Sequence, residues 1–283
     1  MLPTETATAY RPILVSIAYR MTGEVMVSED IVHDVLLNYL SRPIPSLLNS
    51  QAYLAKCVIN ACLNYLAQIK RQRQAYKGLW LPEPVLTPQH ALDARLDISY
   101  GLMRVLEKLS PLERAVFVLK ESFELAYADL APLFGVSQAN ARQLYHRARQ
   151  KLTVTARPFP IDPERQQALL QSFTQASRSG DIDGLIGWLK AEVILYSDGG
   201  GKVPAAIRPL VGAATVATFL RALHKKYRSR LSVRTALING EPALLLTQTD
   251  TQRLTMVLVM ETDLTGITSL YSIRNPDKLA HLN

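Results

Sequence analysis

The stretch YADLAPLFGVSQANARQLYHRARQKL, residues 127–152, predicts the fold of the middle of this chain. Its first part, Tyr127–Leu133, is typical of a short helix, and Gly135 supplies a turn directly after it. Ser137 is a favourable N-cap for the longer helix that follows. The small side chain of Ala131 allows the two helices to cross closely. The pattern therefore predicts a helix-turn-helix.

The second of these helices has an apolar face and an opposite face of amide and basic side chains. Such a helix can read base edges with its first turns and contact phosphates with its flanks. The solvated face of an ordinary helical hairpin is the alternative, but the turn, the small residues and the basic face together favour DNA binding. The candidate DNA-contacting residues are Ser137, Gln138, Asn140, Arg142, Gln143, His146 and Arg147.

Composition agrees with a nucleic-acid partner. The chain has 283 residues, 48% of them hydrophobic, and a formal net charge of +8. This length allows two or three domains with their own cores, and the charge suits a polyanion, although a basic soluble enzyme remains the alternative. The only cysteines, Cys57 and Cys62, cannot form a disulfide framework, which indicates a reducing cytosol. No signal peptide or membrane span is expected.

The N-terminal part, from about residue 9 to residue 75, is predicted to be helical. The third helix carries a polar stripe at four-residue steps that continues into a basic cluster, so one face could contact bases and phosphates together. A solvated helix face is the alternative. The candidate residues of this stripe are Lys56, Asn60, Asn64, Lys70, Arg71 and Arg73. The helix before it carries Asp30 and Asp34, one turn apart, beside the apolar Val32.

The C-terminal part is predicted to be an α+β domain. Three prolines between residues 77 and 92 indicate a stiff linker, and Pro158 and Pro160 mark a second boundary. Asp162-Pro163 is predicted to start a helix that ends near Gly180. A strand, a helix and three alternating strands follow, with Asn239-Gly240 as a hairpin turn. The predicted domains are 1–76, 93–157 and 162–283, joined by the linker 77–92.

Three short strings stand out against this background. They are Trp80-Leu81-Pro82-Glu83-Pro84 in the linker, Asp198-Gly199-Gly200-Gly201-Lys202 after a strand, and Asn275-Pro276-Asp277-Lys278-Leu279 near the C-terminus. The second string lacks the spacing of a phosphate-binding loop, so on its own it predicts a tight turn capped by the aspartate. A tryptophan inside a linker usually docks against another surface.

These strings, in this order, resemble the signatures of one group of bacterial sigma factors. The chain resembles the extracytoplasmic-function (ECF) sigma factors that carry a SnoaL-like C-terminal extension. The segment 28–34 resembles the helix that binds the polymerase clamp, and 52–64 resembles the segment that melts promoters and reads the −10 element. Leu109-Ser110-Pro111-Leu112-Glu113-Arg114, with the helix-turn-helix, resembles the domain that reads the −35 element.

The resemblance implies a fold and a function. The fold would be multidomain, with two all-α sigma domains and a cone-shaped α+β SnoaL-like domain. The partners would be core RNA polymerase, contacted by Asp30, Val32 and Asp34, and promoter DNA. The polar stripe of the third helix would read the −10 element and the helix-turn-helix the −35 element. The resemblance also implies a cytoplasmic chain, monomeric when free, with no catalytic residues, cofactor or metal of its own.

The three strings are then expected to regulate the sigma domains in cis. Trp80 would anchor the linker, and Asp198–Lys202 and Asn275–Leu279 would face outward at or near a contact with the sigma domains. The alternative is a helix-turn-helix regulator whose SnoaL-like cup binds an unknown small ligand or keeps enzymatic activity. Asp198 and His224 would be its acid–base pair, and they would have to meet in one pocket.

Overall fold

The computed structural model describes residues 3–41, 50–87, 99–153, 182–227, 229–263 and 265–283. The helix predicted from Asp162, the boundary at Pro158 and Pro160, and the last residues of the predicted linker lie outside these ranges. The chain divides into two compact units, Met1–Gln74 with Asp93–Arg157 and Ala75–Leu92 with Pro158–Asn283. None of the described helices combines the length and the apolar character needed to cross a membrane.

The first unit is all-helical where it is described. Gly135 ends one helix with a φ of +63°, and the Ser137 hydroxyl accepts a hydrogen bond from Asn140 N at 3.1 Å at the start of the next. The helix-turn-helix prediction is therefore confirmed in its local details. The helices are α1 Pro3–Thr22, α2 Val25–Ser41, α3 Ser50–Gln74, α4 Tyr100–Leu106, α5 Pro111–Phe123, α6 Tyr127–Phe134 and α7 Gln138–Thr153.

One apolar core runs through this unit. It contains buried residues of α1, α2 and α3, such as Leu54 and Val58, together with Leu119 of α5 and Ala141 of α7. A polar contact also joins α5 to α1, since Arg114 Nη1 donates to Met21 O at 2.6 Å. The helices that the sequence assigns to two separate sigma domains therefore form one compact body.

The second unit contains a six-stranded sheet with helices against it. Its strands are ordered β2-β1-β6-β5-β4-β3, with β1 parallel to β6 and the other neighbours antiparallel. The predicted α+β class is thus confirmed. The elements are α8 Ile182–Ile186, β1 Leu189–Asp198, β2 Leu210–Val211, α9 Ala213–Tyr227, β3 Leu231–Ile238, β4 Glu241–Gln248, β5 Leu254–Thr262, β6 Ile267–Ile273, α10 Pro276–Leu279 and a 3-10 turn Ala280–Leu282.

The hairpin between β3 and β4 has the predicted turn. Asn239 and Gly240 both have positive φ angles, 52° and 73°, which is the conformation that an Asn-Gly turn provides at low cost. The side chain of Asn239 has a second use that the sequence pattern did not indicate. Its Oδ1 accepts a hydrogen bond from Val85 N at 3.0 Å, and the backbone N–H of Asn239 donates to Val85 O at 2.8 Å.

The linker therefore belongs to the second unit, and in the structure it begins at Ala75, so that it includes Tyr76. Leu86 forms an isolated antiparallel bridge with Ile238, at the end of β3. The sequence predicts a proline-stiffened linker over 77–92 in which Trp80 docks against another surface. The described part, up to Thr87, is docked on the sheet, because Thr87 N donates to Leu237 O and Val85 O accepts from Asn239 N.

Candidate functional site

The carboxylate of Asp198 is the centre of the contact between the linker and the sheet. Asp198 ends β1 and is 1% exposed. Its Oδ1 accepts hydrogen bonds from the Tyr76 hydroxyl at 2.6 Å and from Gly200 N at 2.9 Å. Its Oδ2 accepts from Leu81 N at 2.9 Å. A buried carboxylate is stable only when its lone pairs are occupied in this way, and two of these donors come from the linker.

Lys278 supplies the positive charge for this carboxylate. Its Nζ lies 2.7 Å from Asp198 Oδ2 and also donates to Leu81 O, and the residue is 5% exposed. The same ammonium lies 3.9 Å from the centre of the Trp80 ring and 5.0 Å from the centre of the Tyr76 ring. Because it is removed from water, each of these cation–π contacts is stronger than it would be on the surface.

Asn275 connects the C-terminal string to both Tyr76 and Asp198. Its side-chain amide donates to the Tyr76 hydroxyl at 2.9 Å, and its backbone N–H donates to Asp198 O at 3.0 Å. Gly200 makes this approach possible, since a Cβ on it would lie 2.5 Å from Asn275 Cγ. We refer to Asp198, Asn275 and Lys278, with their linker partners Tyr76, Trp80 and Leu81, as the linker clamp.

Tyr76 is a member of the clamp that sequence reasoning missed. The predicted domain boundary places it at the end of the first sigma domain, 1–76. Burial, and then the adjacent Asp198 carboxylate, raise the pKa of the Tyr76 phenol well above its ordinary value. The phenol therefore stays protonated and acts as a donor to Asp198. An aromatic residue just before a tryptophan-containing linker was the only signal that could have indicated it.

Most of the three predicted strings meet in the clamp. Leu81, Pro82 and Pro84 are buried, and Trp80 and Glu83 are half-buried. Gly199 and Leu279 are also buried, Gly200 and Pro276 are half-buried, and Gly201 is exposed. Lys202 and Asp277 pair with each other at 2.8 Å on the surface. The expectation that Asp198 faces outward is wrong, because its carboxylate points into the contact with the linker.

The alternative acid–base pair is not assembled in one pocket. His224 lines an apolar cavity between α9 and the sheet, whereas Asp198 is not among the residues that line it. The carboxylate of Asp198 is instead occupied by Tyr76, Leu81, Gly200 and Lys278. In the described part of the chain, no three His, Cys, Asp or Glu side chains lie close enough together to hold a metal ion.

The predicted DNA-reading face of α7 is solvent-exposed. Arg142, Gln143, His146 and Arg147 line a shallow cleft with Gln150, and all of them are exposed. Ser137, Gln138 and Asn140 are exposed at the start of the helix. The opposite side, including Ala141 and Ala148, is buried in the core. The helix therefore presents amides and positive charges along one accessible side.

The middle of the polar stripe of α3 is exposed, and its two ends are partly buried. Asn60, Asn64, Lys70 and Arg71 are exposed and Lys56 is half-buried. Arg73, predicted to contact DNA with them, instead forms ion pairs inside the first unit. Its guanidinium lies 2.8 Å from Glu24 Oε1 and 2.7 Å from Glu107 Oε2. The sequence did not indicate these ion pairs, because neither glutamate is near Arg73 along the chain.

Only two of the three predicted polymerase contacts on α2 are exposed. Asp30 and Asp34 of α2 are exposed, whereas Val32 is 0% exposed and packs in the core. Val32 therefore cannot be a direct contact in this conformation, contrary to the prediction. Met26, Leu37 and Leu40, all large apolar side chains of the same helix, are exposed instead.

Comparison with known proteins places the chain in a family. The model of sigma-70 region 4 matches residues 100–152, which span α4 to α7. The ECF RNA polymerase sigma factor SigJ of Mycobacterium tuberculosis is 34% identical over 95% of this chain and 91% of its own length. This chain is a member of the ECF sigma factors.

Other relatives agree with this assignment. The crystal structure of M. tuberculosis SigJ matches this ECF sigma factor with a TM-score of 0.77 and 31% identity, covering 98% of both chains. The similarity therefore includes the C-terminal SnoaL-like unit as well as the helical unit. A probable ECF sigma factor of the same organism, SigI, is 29% identical over 63% of each chain.

The buried charge pair of the clamp predicts a stability difference. We expect Asp198→Asn to lower the free energy of unfolding of the second unit by about 3 kcal/mol, because it leaves the Lys278 ammonium buried without its counter-ion. Urea unfolding followed by tryptophan fluorescence measures it, since both tryptophans, Trp80 and Trp188, belong to this unit.

Asp277→Asn is the matched control for this substitution. It makes the same chemical change in the exposed pair with Lys202, where the two side chains are 61% and 56% exposed. Such a surface pair contributes at most about 1 kcal/mol. Equal losses for the two variants would show that the Asp198 pair is not a stabilising element.

Proposed function

We propose that this ECF sigma factor directs core RNA polymerase to specific promoters, and that its SnoaL-like unit controls this activity in cis through the linker clamp. The observation that carries the proposal is the fully satisfied Asp198 carboxylate, which holds linker residues to the C-terminal unit. The sigma factor performs no chemistry of its own, since the polymerase supplies the active site. It would act in the bacterial cytoplasm and be monomeric before it binds polymerase.

The exposed side of α7 is suited to reading the −35 element. A helix-turn-helix places its second helix in the major groove, and the amides and guanidinium groups of such a helix pair with base edges. Gln143 and Arg147, one turn apart and both exposed, are positioned for base edges or for the adjacent phosphates. Asn60 and Asn64, also one turn apart on α3, would have the corresponding role at the −10 strand.

The first prediction from this proposal concerns DNA affinity. Arg147→Ala should weaken promoter binding, and at a base contact the loss should be about 1–3 kcal/mol with relaxed preference at one base pair. At a phosphate contact the loss should be uniform across sequences and should reduce the salt dependence. Fluorescence anisotropy with promoter and scrambled duplexes at several salt concentrations separates the two.

Lys225→Ala is the matched control for charge loss, because Lys225 is an exposed cation on α9 of the other unit. It should leave the affinity and the salt slope nearly unchanged. If Arg147→Ala binds both duplexes as the parent protein does, α7 is not the reading helix.

The second prediction concerns polymerase. Asp30→Arg combined with Asp34→Arg should abolish core binding without unfolding the protein, because both acids are exposed and neither supports the core. Pull-down of core polymerase, with circular dichroism to check folding, measures this. Glu192→Arg, at a carboxylate that is 69% exposed on β1, is the control for charge reversal. Retained core binding by the folded double variant would contradict the polymerase assignment.

Cis control follows from the connectivity of the chain. The linker connects the end of α3 to the segment that leads into α4, so both of its ends enter the DNA-reading unit. A contact within one chain has a high effective concentration, so the clamp can persist even if each interaction in it is weak. Binding of polymerase or promoter can then shift the population between clamped and released linker.

The third prediction tests this control directly. Truncation before Asn275 removes the Asn275 and Lys278 partners of the linker, so it should change transcription from a cognate promoter with purified core polymerase. The truncation leaves the exposed face of α7 unchanged, so a change in transcription would not come from a lost DNA contact of α7. Lys202→Met is the control, because it removes the surface ion pair between Lys202 and Asp277, which lies outside the clamp. Identical output from the truncated and intact chains would show that the clamp does not regulate the sigma factor.

A further inference from the structure

The guanidinium of Arg142 is held by an aromatic ring on the neighbouring helix. Its central carbon lies 5.5 Å from the centre of the Tyr127 ring, within the range of a cation–π contact. Arg142 is exposed on α7, and Tyr127 is the first residue of α6. The helix α7 contains no acidic residue, and in the described part of the chain Arg142 forms no hydrogen bond or ion pair. Its N–H donors therefore remain available to DNA.

The Tyr127 ring is itself fixed by its neighbours. Its centre lies 6.0 Å from that of Tyr145 on α7, in an edge-on arrangement, and Tyr145 stacks on Phe117 of α5 at 6.1 Å. The Tyr145 hydroxyl donates to Glu121 Oε1 at 2.5 Å. Burial, and then the adjacent Glu121 carboxylate, raise the pKa of Tyr145 to about 12, so the phenol stays protonated and keeps this hydrogen bond. Contacts with α5 and α7 therefore fix the position of the Tyr127 ring.

A second cation lies at the same ring and has an acceptor within the protein. Lys120 Nζ lies 5.0 Å from the centre of the Tyr127 ring and donates to Leu125 O at 3.0 Å. Lys120 is half-buried, whereas Arg142 is exposed. Because its acceptor is a carbonyl of the same chain, Lys120 can stay in place when DNA binds. Arg142 is therefore the one of these two cations that is placed to contact DNA.

Arg147 shows by contrast what Tyr127 adds. It is exposed and lines the same shallow cleft as Arg142. Among the described residues, however, Arg147 forms no ring contact, hydrogen bond or ion pair. The two arginines thus carry the same charge and differ in conformational freedom. An arginine without support loses more rotamer freedom when it is held at one defined position, and this loss opposes binding there.

Conformational freedom separates two kinds of DNA contact. A phosphate can be neutralised by an arginine in many orientations, so a mobile side chain is sufficient. A guanine presents O6 and N7 at one edge, and both accept from an arginine only when the guanidinium plane is aligned with them. Holding the guanidinium in place before binding reduces the ordering cost of such a bidentate contact. A ring-supported arginine is therefore suited to reading a base.

We infer that Arg142 recognises a guanine of the −35 element and that Tyr127 is its positioning residue. The inference rests on the proposed function and deepens it, because it names the base that α7 recognises and a residue outside α7 that sets this preference. Two N–H groups of Arg142 donate to O6 and N7 of the guanine. Arg147, which has no such support, contributes charge through the phosphate backbone.

Selection from randomised DNA tests the inference without a known promoter sequence. The full chain, assembled with core RNA polymerase, binds duplexes with randomised −35 and −10 elements, and the recovered duplexes are sequenced. The parent protein should prefer guanine at one −35 position by at least about tenfold, and Arg142→Ala should abolish this preference. Arg142→Lys keeps the charge but lacks the planar fork, so it should weaken the preference at the same position. Arg147→Ala, the matched loss of charge, should lower the yield of bound DNA without changing the relative base preferences.

Variants of Tyr127 separate positioning from folding. Tyr127→Leu removes the ring but keeps an apolar side chain, and it should reduce the guanine preference by about threefold or more. Tyr127→Phe retains the ring and should keep the preference within about 1.5-fold of the parent value. In the Arg142→Ala background, Tyr127→Leu should cause no further change, because the residue that it positions is absent. Preferences at the −10 element are the internal control and should be the same in all these variants.

The position of each loss decides what Tyr127 does. Loss of preference at every −35 position in Tyr127→Leu would show a structural role only and would overturn the positioning role. An unchanged guanine preference in Tyr127→Leu, or a preferred base other than guanine at the position that Arg142→Ala relaxes, would overturn the inference as well. In these cases an enriched −35 sequence in the parent protein leaves the proposed function standing. If the parent protein enriches no sequence at either element, the proposed function fails and the inference fails with it.

Discussion

The buried carboxylate of Asp198 is the constraint on which the second unit depends. A charge at this depth requires a counter-ion and a full set of donors, and Lys278, Tyr76, Leu81 and Gly200 provide them. Two of the four lie in the linker, so the linker is part of the fold of this unit. Releasing it removes the Tyr76 and Leu81 donors from Asp198 and the Leu81 carbonyl from Lys278, so the buried ion pair loses part of its hydrogen bonding. This cost makes the docked linker a defined state instead of one of many loose arrangements.

The C-terminal string, Asn275–Leu279, supplies the other residues that hold the linker. Asn275 caps α10 by accepting from Asp277 N at 3.1 Å, and this turn of helix orients Lys278 toward the carboxylate. The side chain of Asn275 reaches Tyr76 only because Gly200 has no Cβ. The glycine-rich turn and the terminal helix therefore form one binding site for the linker. This explains physically why three distant strings occur together on one chain.

Local chemistry made part of this structure predictable. Gly135 and Ser137 determine the helix-turn-helix, and Asn239-Gly240 determines a hairpin, because each acts through its own backbone conformation or a neighbour. The clamp was indicated only by the resemblance of its three strings to a family. Its hydrogen bonds to the linker join residues 117 to 199 positions apart, as in Leu81 to Asp198 and Tyr76 to Asn275. No periodicity or turn signal carries such information. The parallel pairing of β1 with β6 was missed for the same reason.

Arg73 shows that a basic run in the sequence does not predict what each of its residues contacts. It follows Lys70 and Arg71 in a basic run, yet it is held by Glu24 and Glu107 while its neighbours are exposed. Glu107 also lies 2.8 Å from Arg114, so one carboxylate joins α3 to the helical part that carries the helix-turn-helix. Arg73 cannot pair with these carboxylates and with a DNA phosphate at the same time. Contact of Arg73 with the −10 strand therefore requires these ion pairs to open, and the phosphate would have to replace both carboxylates as the counter-charge. In the proposed mode of binding, the first unit would therefore exchange an internal charge network for an external one as α3 engages DNA along its whole length.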